Sequence, residues 1–273
     1  MRPPVQEEGK TNMQLEEARI VQHTEVQGGY RLLVMDAPGI APQVKPGQFV
    51  HLKVPHLGEA LLRRPFSIFK AGEGRLSILY KSIGQGTNTM KYLQPGESLD
   101  LIGPLGNGFP IPAEDTLPAL VAGGYGMAAL YLAARTAPVR GLAFFGGRKS
   151  DDILCVDEFE ALGWEVRIAT DDGTRGKKGL VTAVLDEWIG QKGPAVVPEF
   201  FACGPNPMLK AVADRAAAGG WKAWVSVDRN MCCGVGACLT CVQKIRTPDG
   251  GWTWHRVCRE GPVFESREVV WDE

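Results

Sequence analysis

The stretch Ala119-Leu120-Val121-Ala122-Gly123-Gly124-Tyr125-Gly126-Met127-Ala128-Ala129-Leu130 runs from an apolar strand through a glycine-rich turn into a segment of helical composition. A strand whose closing glycines open a helix is the βα unit of a parallel sheet, and Gly123, Gly124 and Gly126 let a phosphate lie against the helix N-terminus. The spacing departs from G-x-G-x-x-G, so the same turn also serves as no more than a tight connection. Outward from it, Gly141–Phe145, Glu165–Ala169 and Glu199–Ala202 repeat the apolar-strand pattern, each separated by a helical stretch. That alternation predicts a Rossmann-like parallel α/β sheet with crossover helices over residues 115–225. Its fourth strand ends in Ala202-Cys203-Gly204-Pro205-Asn206-Pro207-Met208, at the carboxyl edge where open sheets place ligands. Cys203 there either touches a nicotinamide or is a buried structural thiol.

Upstream, over 14–112, the pattern changes to short β-type segments broken by Gly and Pro turns, among them Arg31–Val34, Gln48–Leu52 and Leu76–Tyr80. This predicts a small antiparallel β-barrel. Arg63-Arg64-Pro65-Phe66-Ser67-Ile68 offers a guanidinium and a hydroxyl around a turn-fixing proline, which suits a pyrophosphate. An Arg-Arg pair on a barrel edge is also ordinary solvated charge. Lys81-Ser82-Ile83-Gly84-Gln85-Gly86-Thr87-Asn88-Thr89 follows a strand with a turn whose amides can form an anion nest, or a plain helix cap. Two such motifs in one barrel bear on a flavin.

Downstream, residues 226–273 are too few for a core of their own and hold five of the seven cysteines. Met231-Cys232-Cys233-Gly234-Val235-Gly236-Ala237-Cys238-Leu239-Thr240-Cys241 contains the C-x4-C-x2-C spacing of a [2Fe–2S] site, with Cys258 as fourth thiolate. Gly234, Gly236 and Ala237 are small enough for backbone amides to approach bridging sulfides. Cys232 would make the spacing x5 and is read as a bystander. Structural zinc draws on two C-x2-C pairs, of which only Cys238 and Cys241 make one here, and a disulfide framework lacks a signal peptide in the polar Met1–Asn12. Cys155 is read as a small buried hydrophobe.

At 273 residues the chain is long enough for two or three domains, and a well-mixed net charge of −1 argues against a nucleic-acid footprint. No apolar run approaches the ~18 residues of a membrane span, which with the absence of a leader and the free thiols points to the cytoplasm. The Pro/Glu/Gln-rich start is expected to be disordered, with Met13 an alternative start. Each histidine, at 23, 51, 56 and 255, is read as a surface or satisfied side chain.

Taken in order, R-x-F-S, G-x-G-T, the glycine-rich turn and C-G-P-N resemble the ferredoxin reductase-like family, in which an FAD barrel precedes an NAD(P) domain. The tail, with Val257-Cys258-Arg259-Glu260-Gly261-Pro262-Val263-Phe264, resembles the electron-transfer subunits of class 1B dihydroorotate dehydrogenases, which end in a short [2Fe–2S] domain. The resemblance implies FAD on Arg64, Pro65, Phe66 and Ser67, on the strand Leu79-Tyr80-Lys81, and on Gly86 with Thr87. It implies the cluster on Cys233, Cys238, Cys241 and Cys258, and NAD, with NADP as the alternative, on the turns of Gly123, Gly124, Gly126, Cys203 and Gly204. This sequence has Ala122 and Ala129 where the family tends to have glycine and proline, which bears on the pyridine nucleotide. The Cys241-to-Cys258 gap, shorter than in plant ferredoxins, agrees with a compact appended domain.

A hydride carries two electrons and a [2Fe–2S] centre accepts one, so a flavin must stand between them. The family reading supplies the electrons from a separate FMN-containing dihydroorotate dehydrogenase catalytic subunit, in a heterotetramer serving pyrimidine (UMP) biosynthesis, and delivers them to NAD+. No base for dihydroorotate is then expected in this chain. Trp252, Trp254, Val263 and Phe264 are candidates for docking that partner. A flavin subunit of another complex, of the ferredoxin:NADP oxidoreductase, sulfide dehydrogenase or hydrogenase type, would share most of these motifs. Cys233 favours the orotate reading, because the ferredoxin:NADP type often has Asp as its first ligand. A non-enzymatic iron–sulfur or zinc module, or a redox-sensing regulator, is the remaining class.

Overall fold

Alternating apolar residues bend the first six strands into a closed barrel of order β1-β2-β5-β4-β3-β6. These are β1 (Gln14–Glu25), β2 (Tyr30–Asp36), β3 (Phe49–Lys53), β4 (Arg64–Gly72), β5 (Arg75–Lys81) and, after the short helix α1 (Gln85–Met90), β6 (Ser98–Leu105). The computed structural model describes residues 13–57 and 62–271, so the segment expected to be disordered lies outside the described residues. Every second side chain points inward, and Ala18, Ile20, Leu33, Met35, Val50, Leu52, Ile68, Leu76, Ile78, Leu99 and Leu101 fill the barrel. Tyr80 joins them, its hydroxyl 2.9 Å from His23 Nε2.

The α/β alternation gives β7 (Leu117–Gly123), α2 (Gly126–Thr136), β8 (Leu142–Gly147), α3 (Val156–Ala161), β9 (Glu165–Thr170), β10 (Lys177–Lys178), α4 (Val181–Gln191), β11 (Pro198–Cys203), α5 (Asn206–Gly219) and β12 (Lys222–Ser226). The strands are parallel, and the sheet order β10-β9-β8-β7-β11-β12 reverses direction at β7. A ligand crevice is expected there, between the carboxyl ends of β7 and β11. Tyr30, Phe69, Leu79 and Phe109 pack into one core with Leu120, Met127, Leu130 and Phe201, so barrel and sheet share an apolar seam. Within it, the Phe69 and Tyr131 rings meet edge-on at 5.0 Å.

The last segment adds the hairpin β13 (Val242–Arg246) and β14 (Trp252–Arg256), then β15 (Val263–Glu265), which pairs antiparallel with β12 and becomes the seventh strand of the sheet. Its lack of residues for a core is met by sharing one. Cys241, Val257, Cys258 and Phe264 bury with Val121, Phe200 and Val225 of the sheet and with Phe49 and Leu105 of the barrel. Burying a side chain the size of Phe264 is worth about 2–3 kcal/mol. Val263 and Phe264 are therefore interior residues, 7% and 5% exposed, and are not the exposed docking candidates expected from the sequence. Trp252 and Trp254 are exposed as expected. Among the described residues no helix is long and apolar enough to cross a membrane.

Candidate functional site

The cysteine loop leaves β12 and returns in β13, and it turns at two glycines. Gly234 and Gly236 have φ of +70° and +85°, the left-handed region that a side chain disfavours. Space forbids one as well: a Cβ at Gly234 would lie 2.2 Å from His51 Nδ1, and one at Gly236 2.6 Å from Arg259 Cδ. Arg256 closes the loop from the far side, donating from Nη1 to the Gly236 carbonyl at 2.7 Å while its guanidinium pairs with Glu260.

The four predicted ligands are brought together as two pairs. Cys238 neighbours Cys233, whose Sγ accepts the Ala237 amide at 3.3 Å. Cys241 accepts the Cys258 amide at 3.4 Å, and Cys258 also faces Cys233. Hydrogen bonding to the Thr240 hydroxyl and to the Cys233 and Thr240 backbone pulls the Cys238 thiol down to about 6. Burial, reinforced by the Cys241 thiol, pushes Cys258 up to about 12. Cys238 is thus ready as thiolate, and Cys258 needs a cation to ionise. Among the described residues no three His, Cys, Asp or Glu side chains converge to hold a single metal ion. Two thiol pairs match a binuclear centre with two sulfur ligands per iron. Cys232 lies beside Cys238 with its thiol raised by desolvation and by the neighbouring thiols.

On the barrel, Arg63 and Arg64 diverge. Arg63 is spent on Asp100, with Nη2 2.7 Å from Oδ2 and Nη1 2.8 Å from the carbonyl. Among the described residues Arg64 donates to the carbonyls of Leu62 and Arg63 and has no carboxylate partner. Gly86 lies against it, since a Cβ there would stand 3.4 Å from Arg64 Nε, and at neighbouring Gly84 a Cβ would meet nothing within 4 Å. This open cradle of guanidinium and loop amides fits a pyrophosphate. Thr87 builds the cradle with its hydroxyl, which accepts the Ile83 and Gly84 amides at 3.0 and 3.1 Å, so only its backbone is left for a ligand. Pro65, Phe66 and Ser67 follow along β4, half-buried, with the Phe66 ring edge-on to Tyr80. Tyr80 itself is inside the barrel and can meet a ligand only through its backbone. Lys81 points to the sheet, its ammonium 2.8 Å from Asp152 Oδ1.

At the sheet's reversal point the two candidate turns touch. A Cβ at Gly126 would fall 2.1 Å from the Cys203 carbonyl oxygen, and one at Gly123 2.9 Å from Pro205 Cδ. Gly124 has φ +57°. Gly204 sits under Gly123, with its own Cβ position 3.0 Å from the Gly123 amide. The α2 N-terminus carries no side-chain cap, and with the Met127 and Ala128 amides donating to the Gly124 and Tyr125 carbonyls at 3.3 and 3.1 Å, the Gly126 amide is the first-turn donor without a backbone partner among the described residues. Cys203 is buried and its thiol pushed up to about 12 by desolvation, so it is a neutral thiol. Cys155 is only half-buried and has φ +60°, a departure from the simple buried residue expected.

One residue that sequence reasoning set aside lies between these parts. His51 is fully buried, neither ring nitrogen has a well-formed hydrogen bond among the described residues although the Cys233 and Arg63 backbones lie close, and burial lowers its pKa. It is therefore neither a surface nor a satisfied histidine. The signal was present in Phe49-Val50-His51-Leu52: with Val50 and Leu52 inside the barrel, alternation sends Phe49 and His51 outward, onto the cysteine loop.

A barrel with an anion cradle, a parallel sheet with a glycine-lined switch point and an appended four-cysteine loop define a ferredoxin reductase-like protein with an iron–sulfur module. Residues 228–270 match the family described as the iron–sulfur cluster binding domain of dihydroorotate dehydrogenase B. The dihydroorotate dehydrogenase B (NAD(+)) electron transfer subunit of Caldanaerobacter subterraneus subsp. tengcongensis is 37% identical over 93% of this chain and 97% of that protein. The same subunit of Geobacillus kaustophilus is 39% identical over 83% and 87%. A solved chain of an NADH-dependent reduced ferredoxin-NADP oxidoreductase superposes with a TM-score of 0.80 at 28% identity, covering 93% of this chain and 90% of that one. The chain belongs to the family of dihydroorotate dehydrogenase B (NAD(+)) electron transfer subunits. It is an oxidoreductase subunit with an electron-transfer role, and membership of this family implies a catalytic partner.

Proposed function

We propose that this chain passes electrons between an FMN-containing dihydroorotate dehydrogenase catalytic subunit and NAD+, in a cytoplasmic heterotetramer of pyrimidine (UMP) biosynthesis. When bound, FAD interconverts hydride and single-electron chemistry, and a [2Fe–2S] centre carries single electrons to and from the partner. Three segments serve this: 14–112 for FAD, 115–225 for NAD and 226–273 for the cluster. Arg64 and the Gly86–Thr87 amides hold the FAD pyrophosphate, while Pro65, Phe66, Ser67 and the backbone of Leu79, Tyr80 and Lys81 seat the rest of the cofactor. Gly126 offers its amide to the NAD pyrophosphate at the turn shaped by Gly123 and Gly124, and Cys203 with Gly204 borders the nicotinamide. Cys233, Cys238, Cys241 and Cys258 hold the cluster.

The observation that carries this reading is the position of the cysteine loop on the barrel. Gly234 abuts His51, and His51 is the cross-strand partner of Pro65 in the proposed flavin strand. The cysteine loop thus abuts the proposed flavin strand, the contact that electron passage between cluster and flavin requires. The test is anaerobic purification, followed by dihydroorotate-dependent NAD+ reduction with the catalytic subunit added. Bound flavin, iron and acid-labile sulfide with orotate formed per NADH support the proposal. The same cofactors with reduction only by ferredoxin would assign the chain to another complex, and colourless protein would overturn the cofactor assignment.

A further inference from the structure

The unpaired imidazole of His51 requires an explanation, because a buried polar side chain without partners costs about 1–3 kcal/mol. Among the described residues neither ring nitrogen has a well-formed hydrogen bond, the Cys233 and Arg63 backbones lying close without completing one, and the ring is fully buried. Its neighbours show where it is aimed. On its own strand face it follows Phe49, which packs with Cys241 and Cys258. Across β6 it pairs with Ile102, and across β4 with Pro65. On the open side Nδ1 comes so near Gly234 that no side chain fits at that position. The ring therefore fills the space between the proposed flavin strand and the first cluster ligand, Cys233. A neutral imidazole carries one N–H and one acceptor nitrogen, and a sulfur-rich anionic centre held by this loop would be the natural acceptor for the N–H.

We propose that His51 is a positioning residue of the iron–sulfur centre: it seats the Cys233–Gly234 turn on the barrel and donates a ring N–H to sulfur of the loaded site. The inference rests on the cluster assignment made above. Two consequences separate it from ordinary packing. A donor to sulfur stabilises the more negative, reduced cluster and raises its potential. A residue of the same bulk without an N–H keeps the packing and loses that effect.

The experiment is an EPR-monitored redox titration of the full chain, reconstituted with FAD and cluster, as wild type, His51→Leu and His51→Asn. The Leu variant is expected to shift the cluster's reduction equilibrium about tenfold toward the oxidised form, which is about 59 mV for a one-electron couple. FAD content should be unchanged, and Asn, which retains an N–H, should recover most of the shift. A Leu variant with full iron and sulfide content and wild-type potential overturns the proposal, as does an equal shift in Leu and Asn. Should the Leu variant lose both FAD and iron, pulsed EPR of reduced wild-type protein carrying ring-15N histidine decides. A nitrogen coupling that disappears in His51→Asn supports the role, and its absence from wild type overturns it. Wild-type protein without iron and sulfide would instead overturn the cluster assignment itself.

Discussion

Lys81, at the end of a barrel strand, places its ammonium 2.8 Å from the carboxylate of Asp152 beside the sheet. The contact is one part of a latch between the two units. Tyr30 donates its hydroxyl to the same Asp152 oxygen at 3.1 Å and lies with its ring under the Lys81 ammonium at 4.5 Å, while Gln27 donates to the Ile153 carbonyl at 2.7 Å. Burial works against the Asp152 charge, but the Lys81 hydrogen bond and charge, with the Tyr30 hydrogen bond, outweigh it and hold the carboxyl below its usual range.

A carboxylate with a depressed folded-state pKa stabilises the fold at pH values above its unfolded pKa, and loses that contribution as pH falls through the folded value. Asp152→Asn is expected to lower stability by about 2 kcal/mol at pH 7, the scale of a hydrogen bond to a charged group. The gap between wild type and variant should close below about pH 4. Thermal melts across pH measure it, and a gap that stays constant down to pH 2.5–3 (, about a unit below the usual carboxylate pKa) would remove Asp152 as its source.

Arg63 and Arg64 should separate structure from binding. Arg64→Ala is expected to keep the fold and to purify with much less FAD, because among the described residues its guanidinium, unlike that of Arg63, has no carboxylate partner. Arg63→Ala breaks the ion pair and carbonyl bond to Asp100, costing about 1–2 kcal/mol of stability, with flavin largely retained. Flavin absorbance per protein and a urea melt of each variant check the split. Equal flavin occupancy would contradict it.

For the adjacent cysteines, Cys233→Ser is expected to abolish the cluster and Cys232→Ser to leave it. Cys233 faces both Cys238 and Cys258, whereas Cys232 adjoins the outer pair alone. Iron and acid-labile sulfide are the readout. Cluster loss confined to the Cys232 variant would reverse the ligand assignment.

The α/β alternation was legible because four apolar runs recur with helical spacers, and the barrel because period-two segments are punctuated by glycine and proline. The cysteine spacing identified the loop whose thiols the fold gathers. Less accessible was anything set by contacts distant in sequence. Val263 and Phe264 look like any short apolar pair, and only the neighbouring edge of β12 makes them a buried strand. Tyr80 sits within the strand assigned to FAD, yet barrel closure turns its ring to His23. His51 was misjudged because one histidine among apolar residues gives no sign of what covers it. Its partner is a turn more than 180 residues later.

The seventh strand gives the iron–sulfur segment an architectural constraint. β12 leads into the cysteine loop and β15 comes back to lie against β12, so the whole excursion begins and finishes on one sheet margin. The segment is consequently a stitched hem rather than a detachable tag. Cutting the chain after Ser226 would uncover the margin of β12 and strip Phe264 from the interior, so a truncated flavoprotein should be prone to edge-to-edge association. Exchange of this segment between related reductases would have to carry its last strand along.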